Sequence, residues 1–293
     1  MPGPYQLGCP IWACEHWRGG LYGRKASREQ WLGQYADVFD AVEGNGTFYG
    51  LPRPDTVRRW ADSVPSGFAF CLKVPRVITH DGRLRGHAAQ KRAFLDLLAI
   101  LADAGVLGPT LMQLGPGFDR TDFDALQQSL RRWPNDFPLA VEVRHRDWYD
   151  EGPVEASLDD LLRESDHDRV LFDSRALYAT PPQTPCETVS QTRKPRTPIR
   201  RTVTGRRPMV RFIGRDDVAA VDPWIDEWVR VVAGWIDAGL RPIVFTHSPD
   251  DRFAPDFARR FHRRLVEVRA NTPPLPKFRG ESEPKAARQP KLF

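Results

Sequence analysis

Strand-like and helix-like segments alternate along almost all of this 293-residue chain, and no other sequence feature constrains the fold as strongly. Short apolar runs bounded by turn residues recur eight times, as is typical of buried strands. Amphipathic stretches separate most of them, and between His87 and Asp103 the apolar residues fall at helical spacing. The predicted strands are Gln6–Ile11, Val38–Glu43, Phe68–Lys73, Thr110–Leu114, Leu139–Val143, Val170–Asp173, Met209–Ile213 and Pro242–Phe245.

Strands joined by crossover helices define the fold class as α/β, and the number of units matches a single (β/α)8 TIM-type barrel. A doubly wound open sheet is the alternative. No Gly-x-Gly-x-x-Gly fingerprint follows the first predicted strand, which argues against a dinucleotide-binding version of that sheet. We therefore expect the barrel.

Composition divides the chain into regions. Residues 5–268 carry the barrel pattern, whereas residues 179–207 within it are rich in Pro, Thr and Arg and predict a long inserted basic loop. Residues 269–293 combine Pro and charge and are predicted to form a flexible tail. The whole chain has a net charge of only +5, so these two strongly basic regions account for its excess of basic over acidic residues. Such segments favour polyanions such as nucleic acid.

Composition also argues against several classes of protein. The apolar runs are too short for a membrane span, and the N-terminus lacks the basic and apolar regions of a signal peptide. Cys9, Cys14, Cys71 and Cys186 have no paired metal-binding spacing and suit reduced thiols. We expect a cytoplasmic protein that does not contact a membrane.

Polar side chains follow the carboxyl ends of most predicted strands, which is where a barrel carries its chemistry. The fifth strand is the most informative, because an apolar run that starts at Leu139 gives way abruptly to Glu142 and Arg144. Strand alternation places these two side chains on one face, and burying such charges without a role is costly. The sequence therefore locates a candidate site at the barrel mouth.

These strand ends support acid–base and anion-binding chemistry. Carboxylates would serve as general bases and cationic or imidazole groups as acids, while paired guanidinium N–H donors would clamp a phosphate or carboxylate. The catalytic candidates are Glu142 and Glu43 as bases and Lys73 and His145 as acids. The candidate substrate-binding residues are Arg144, Asn45, Gln113, His80, Arg211, Trp148 and Tyr49.

A divalent metal is an alternative occupant of the same mouth, since oxygen and nitrogen ligands on separate strands are usual in barrel metal sites. No His-x-His or His-Glu-x-x-His spacing supports it, so we predict no cofactor. A buried charge network that only stiffens the mouth is a further alternative. The metal candidates are Glu43, Glu142, Asp173 and His247.

A set of short motifs runs through nearly all of residues 5–268. They are Leu7–Trp12 with Trp17 and Gly19, Val42–Tyr49 with Pro52, Phe68–Lys73 with Thr79-His80, Leu107–Pro109 with Gln113-Leu114, and Glu142–Trp148. Together they resemble the YecE-like family, also called domain of unknown function 72. The resemblance implies a TIM-type barrel and a site at these strand ends, and it implies no particular reaction. It is weaker in the last two strands, where Ile213-Gly214 and Phe245–Asp251 depart from the family pattern.

The last five residues form a second motif, Gln-x-x-Leu-Phe. It resembles the peptide by which bacterial replication and repair proteins dock on the DNA polymerase sliding clamp. Leu292 and Phe293 would fill an apolar pocket while Gln289 makes polar contacts, and a mobile tail would let the barrel reach DNA. A C-terminus without this role is the alternative.

Three functions stay open from the sequence. The first is an enzyme, a hydrolase or a lyase, that acts on a phosphate-bearing or sugar-like substrate, including nucleic acid in a replication or repair context. The second is a non-catalytic module that binds a ligand or nucleic acid and is recruited through its tail. The third is a sugar isomerase or hydrolase with no nucleic-acid role. The basic segments and the tail motif favour the first.

Overall fold

Eight parallel strands form the centre of the protein in the computed structural model, which describes residues 3–282. They are β1 Gln6–Cys9, β2 Ala41–Gly44, β3 Ala69–Leu72, β4 Thr110–Gln113, β5 Leu139–Glu142, β6 Asp168–Asp173, β7 Met209–Ile213 and β8 Ile243–His247. Each pairs with its neighbours in sequence and β1 pairs with β8, in the order β3-β2-β1-β8-β7-β6-β5-β4. Between β3 and β4 the pairing is reduced to single bridges, Phe70 with Leu107 and Lys73 with Leu111, so the barrel is nearly closed.

Helices connect the strands and cover the outside of the barrel. The fold is therefore the predicted (β/α)8 TIM-type barrel, and most elements begin or end within a few residues of their predicted bounds. No helix within residues 3–282 is long and apolar enough to cross a membrane. The helices are α1 Arg28–Ala36, α2 Gly46–Tyr49, α3 Pro54–Asp62, α4 Ala88–Asp103, α5 Phe123–Arg131, α6 Pro153–Glu164, α7 Pro185–Arg193, α8 Asp222–Asp237, α9 Ala254–Val268 and α10 Arg279–Ser282.

Strand alternation separates two apolar layers. One set of side chains packs outward against the helices, and a smaller set fills the barrel interior. Three of the inward residues are alanines, on β2, β3 and β5, so the interior is narrow. On six strands the next inward position toward the carboxyl end is polar, which places charged side chains directly above an apolar floor, whereas β6 has Phe172 there. The floor consists of Ala41, Ala69, Cys71, Leu111, Ala140, Val170, Met209, Ile243 and Phe245.

The inserted segment 179–207 contains a helix, α7, so the prediction of a loop without helical structure is wrong there. The hydroxyl of Thr184 accepts a hydrogen bond from the backbone N–H of Glu187 at 3.1 Å and caps the helix. The buried Glu187 carboxylate pairs with the Arg215 guanidinium at 3.0 Å. This helix is stabilised by a cap and an ion pair and not by an apolar face. Its sequence therefore lacks the hydrophobic periodicity that predicts a helix.

Residues 269–282 pack on the barrel, so the prediction of a flexible tail starting at residue 269 is wrong for this part. Phe278 is 3% exposed and meets the Phe39 ring edge-to-face. The backbone N–H of Gly280 donates to the Gly20 carbonyl at 2.9 Å, and a Cβ at Gly280 would collide with the backbone of Gly19. The tail motif with Gln289, Leu292 and Phe293 lies outside the described residues.

The variant Phe278→Ala is expected to lower the free energy of unfolding by about 3 kcal/mol, since it removes a buried aromatic ring at the edge of the core. Urea denaturation measures this loss. Val268→Ala removes apolar atoms from a side chain that is 56% exposed and serves as the control, with an expected change within about 0.5 kcal/mol. Equal effects of the two substitutions would contradict the packing of residues 269–282 on the barrel.

Candidate active site at the barrel mouth

A layer of polar side chains closes the carboxyl end of the barrel interior. Each residue lies two positions beyond an apolar interior residue of the same strand, so the period of the strands aims all of them inward. Nearly all of them are fully buried. The layer consists of Glu43, Lys73, Gln113, Glu142, Arg211 and His247, which come from six different strands or their ends.

Arg211 at the centre of the layer binds both glutamates. Its Nε and Nη2 donate to the two carboxylate oxygens of Glu43 at 2.7 and 2.6 Å, and its Nη1 donates to Glu142. The Glu43 carboxylate also accepts from Asn45 Nδ2 at 2.8 Å and lies 3.2 Å from His247 Nε2. Glu43 therefore uses both of its oxygens within the protein.

Glu142 is held in the same way. Its Oε1 accepts from Gln113 Nε2 and from Arg144 Nε, each at 2.7 Å, while its Oε2 faces Arg211. The Arg144 side chain is partly exposed, and among residues 3–282 it makes no hydrogen bond besides the one from Nε. Its remaining N–H donors are therefore available to a ligand.

The ion pairs fix the charge of both glutamates. Burial opposes ionisation of Glu142, but Arg211 and Arg144 outweigh it and lower its pKa to about 2. Burial likewise opposes ionisation of Glu43, and Arg211 and His247 together hold its pKa well below the usual range. Burial lowers the pKa of His247 to about 4, so this imidazole is neutral near pH 7. Both glutamates are permanent anions with satisfied oxygens, and this geometry does not favour either one as a general base.

Lys73 differs from the rest of the layer. It is 7% exposed, its Nζ lies 3.8 Å from the centre of the Phe48 ring, and it has no carboxylate partner within residues 3–282. Burial, together with the nearby cations Arg211 and Arg144, lowers the pKa of Lys73 to about 7. A lysine amine that is half neutral at physiological pH is able to give or take a proton.

Aromatic rings form the walls beside these charges. Arg144 and Arg211 lie 5.6 and 5.7 Å from the centre of the Phe172 ring on β6. His80 stacks edge-to-face on Phe48, and burial beside the cationic Lys73 lowers its pKa to about 4. The structure therefore brings His80 to the rim of the site as a neutral imidazole.

The inserted segment adds a cation that the sequence did not single out. Burial and the charge of Arg211 lower the pKa of Lys194, while Asp251 acts on it in the opposite direction. Burial raises the pKa of Asp251 to about 6. Lys194 is one of seven basic residues in its segment, so only the fold identifies it. Phe172, by contrast, was detectable, because it is the inward position two residues after Val170.

Three candidate residues do not join the layer. Nδ1 of His145 accepts from the backbone N–H of Asp147 at 3.3 Å and caps the turn that follows β5. Trp148 is fully buried and donates from Nε1 to the Phe118 carbonyl at 2.7 Å, so it is a packing residue. Tyr49 is 83% exposed on α2, outside the polar layer.

The proposed metal set is not assembled either. Asp173 points to the outer face of β6, where it pairs with Arg175 at 2.8 Å and accepts from Trp228 Nε1 at 2.8 Å. Glu43 and Glu142 are already occupied by Arg211. Within residues 3–282 no group of three or more His, Cys, Asp or Glu side chains is placed to hold a metal ion.

The fold and the site define a class: a (β/α)8 barrel whose mouth holds a buried Arg–Glu network and a buried lysine over an aromatic ring. The chain belongs to the DUF72 family, whose model, described as a protein of unknown function, matches residues 6–280. The UPF0759 protein YecE of Escherichia coli K12 is 32% identical over 270 residues, which cover 92% of this chain and 94% of YecE. The UPF0759 protein YunF of Bacillus subtilis 168 is 25% identical over 136 residues, 44% of this chain and 48% of YunF.

Solved structures support the fold. A DUF72 family protein of Enterococcus faecalis V583 superposes with a TM-score of 0.70 at 20% identity and covers 89% of this chain and 95% of its own. One from Thermotoga maritima MSB8 superposes with a TM-score of 0.67 at 21% identity and covers 90% of this chain and 99% of its own. These structures share the barrel with the present chain.

Proposed function

We propose that the protein is an enzyme that acts on a small phosphate-bearing or sugar-like substrate at the barrel mouth, with Lys73 as its proton-transferring group. The observation that carries this proposal is the environment of Lys73, which is buried over the Phe48 ring between cations and has a pKa lowered to about 7 by burial and by Arg211. Perturbed amines of this kind are typical of catalytic sites.

The balance of charge favours an anionic substrate. The two buried carboxylates are matched by the guanidinium groups of Arg211 and Arg144, so the charge of a protonated Lys73 is surplus. An anion bound at the free N–H donors of Arg144 would favour the protonated form of Lys73. Lys73 would then give its proton to the bound substrate as a general acid. After the product leaves, the neutral amine would take up a proton again.

Arg211, Glu43 and Glu142 have a positioning role in this proposal. Their hydrogen bonds fix the position of the Arg144 guanidinium and of the positive charge at the mouth. The three side chains do not exchange protons with the substrate. Recruitment to a replication complex through Gln289, Leu292 and Phe293 stays a separate prediction, because these residues lie outside the described part of the chain.

Incubation of the purified protein with a small-molecule extract of bacterial cells tests the proposal. We expect the unmodified protein to consume at least one phosphate-bearing or sugar-like metabolite, measured by mass spectrometry. Lys73→Met should slow this consumption by about 10²-fold or more, the usual contribution of general acid–base catalysis. Lys25→Met, which changes an exposed lysine, should leave the rate unchanged.

Two results would overturn the assignment. Consumption that continues at full rate in Lys73→Met would remove this amine from the chemistry. A metabolite that is bound with equal affinity by the unmodified protein and Lys73→Met, and that neither of them alters, would favour the non-catalytic binding module instead.

A further inference from the structure

A second polar cavity opens beside the mouth, on the same face of the barrel. It has a volume of about 490 Å³ and lies where the segments after β5 and β6 meet the inserted segment. This volume lies within the range of small-molecule sites. Its lining includes Arg146, Tyr149, Ser174, Arg175, Tyr178 and Arg196.

Among the residues that the structure describes, two of the three arginines in this cavity have no carboxylate partner. Arg175 is neutralised by Asp173 and Glu227, with its Nη2 at 2.8 and 3.0 Å from their oxygens. Arg146 and Arg196, by contrast, form no ion pair within residues 3–282. A cavity of this size with two unpaired guanidinium groups favours a ligand that carries a phosphate.

Aromatic side chains give the cavity a second kind of surface. The guanidinium of Arg196 lies 4.8 Å from the centre of the Tyr178 ring, and the hydroxyl of Tyr178 donates to the carbonyl oxygens of Gln191 and Lys194. The hydroxyl of Tyr149 donates to the Val143 carbonyl at 2.9 Å. These hydrogen bonds hold both rings in position. The guanidinium groups of Arg169 and Arg200 lie 5.5 and 5.7 Å from the centre of the Tyr149 ring, so the Tyr178 ring is the surface for a flat ring of the ligand.

The cavity walls come from two parts of the chain that are fixed to each other. Ser174, directly after β6, donates from its hydroxyl to the Pro195 carbonyl at 2.7 Å, next to Arg196. This contact fastens the inserted segment to the end of β6. The position of Arg196 opposite the strand ends is therefore set by the fold.

We propose that this cavity binds a nucleotide, with its phosphate on Arg146 and Arg196 and its base against the Tyr178 ring. The nucleotide is either free or part of a nucleic-acid strand, because both present the same phosphate and ring to the cavity. This binding goes beyond the chemistry proposed for Lys73 and does not depend on it.

Isothermal titration calorimetry with adenosine monophosphate, adenosine and a 5′-phosphorylated single-stranded hexanucleotide tests the proposal. We expect adenosine monophosphate to bind at least about tenfold more tightly than adenosine, because a charge-assisted contact is lost without the phosphate. Arg146→Ala and Arg196→Ala should each weaken binding about tenfold, and the double variant more than either. Arg193→Ala, an exposed basic residue of the same segment outside the cavity, should change the affinity less than twofold.

The two sources of the nucleotide give different patterns. Tight binding of the monophosphate indicates a free nucleotide, whereas tight binding confined to the hexanucleotide indicates a strand, and in either case the Arg146 and Arg196 variants must weaken it. Absence of binding by all three probes at millimolar concentration would overturn the proposal. An equal loss in Arg193→Ala would also overturn it, because the effect would then come from overall charge. Lys73→Met should bind the nucleotide normally, which separates this result from the fate of the proposed reaction.

Discussion

Replacement of Arg211 by methionine is expected to lower the free energy of unfolding by about 3–5 kcal/mol at pH 7, since removing one partner strands a buried charge. Arg211 supplies three hydrogen bonds to Glu43 and Glu142, and both carboxylates are fully buried. Methionine fills a similar space but leaves two neighbouring anions without their shared counter-ion. Urea denaturation of the purified variant measures the loss.

Two comparison variants separate this effect from ordinary loss of a surface ion pair. Arg58→Met removes an exposed pair with Asp55, for which we expect less than about 1 kcal/mol. In Arg211→Met combined with Glu43→Gln and Glu142→Gln, the uncompensated charges are absent, and most of the lost stability should return. A triple variant as unstable as Arg211→Met would mean that packing, and not charge, explains the loss.

The pH dependence of stability should have opposite signs in the unmodified protein and in Arg211→Met. In the unmodified protein the pKa of Glu142 is lowered to about 2, chiefly by Arg211 against the cost of burial. Its contribution is therefore present above the ordinary pKa of about 4.3 and is lost as the pH falls toward 2. Without Arg211, burial raises the pKa of these carboxyls, so the folded state of Arg211→Met binds protons more readily and gains stability as the pH falls from 7 to 5.

The polar layer was predictable from the sequence because it follows strand period. Glu43, Gln113, Glu142 and Arg211 each follow an apolar inward residue by two positions, and the barrel places chemistry at those ends. The pairing within the layer was not predictable. Arg211 meets Glu43 across 168 positions of sequence, and no local pattern determines such a distance. Without this pairing, the sequence pattern alone predicts Glu142 as a base, whereas Arg211 and Arg144 hold its carboxylate as an ion-pair partner.

Local sequence does not determine the contacts that three further candidates make in the fold. Trp148 follows a charged strand end and was expected to bind a ligand, yet it packs on Phe118. His145 is adjacent to Arg144 in the chain, but alternation turns it to the other side, where it caps a turn. The sequence predicts Lys73 as an acid, but the lowered pKa of its amine arises only from burial beside Arg211 and Arg144 and is not visible in the sequence.

The reaction of Lys73 with acetic anhydride is expected to reach its half-maximal rate near pH 7, far below the midpoint of an ordinary lysine. Burial and the charges of Arg211 and Arg144 lower its pKa from 10.5 to about 7, so half of its amine is neutral at that pH. The neutral fraction at a pKa of 10.5 would be more than about a thousandfold smaller. Labelling at pH values from 5 to 11, followed by mass spectrometry of peptides, measures the fraction of each lysine that reacts.

Normalising the profile of Lys73 to its own plateau separates its pKa from the slower access of reagent to a buried amine. The midpoint should lie near pH 7, and in Arg144→Gln it should move upward, because that substitution removes a cation and frees Glu142 to act on Lys73. Arg146→Gln, at an exposed arginine two residues from Arg144, should leave the midpoint in place.

A midpoint for Lys73 above pH 10 would show that the network leaves its amine fully protonated. Lys73 would then be an anion-binding group, and the proposed proton transfer would have no donor or acceptor in this layer.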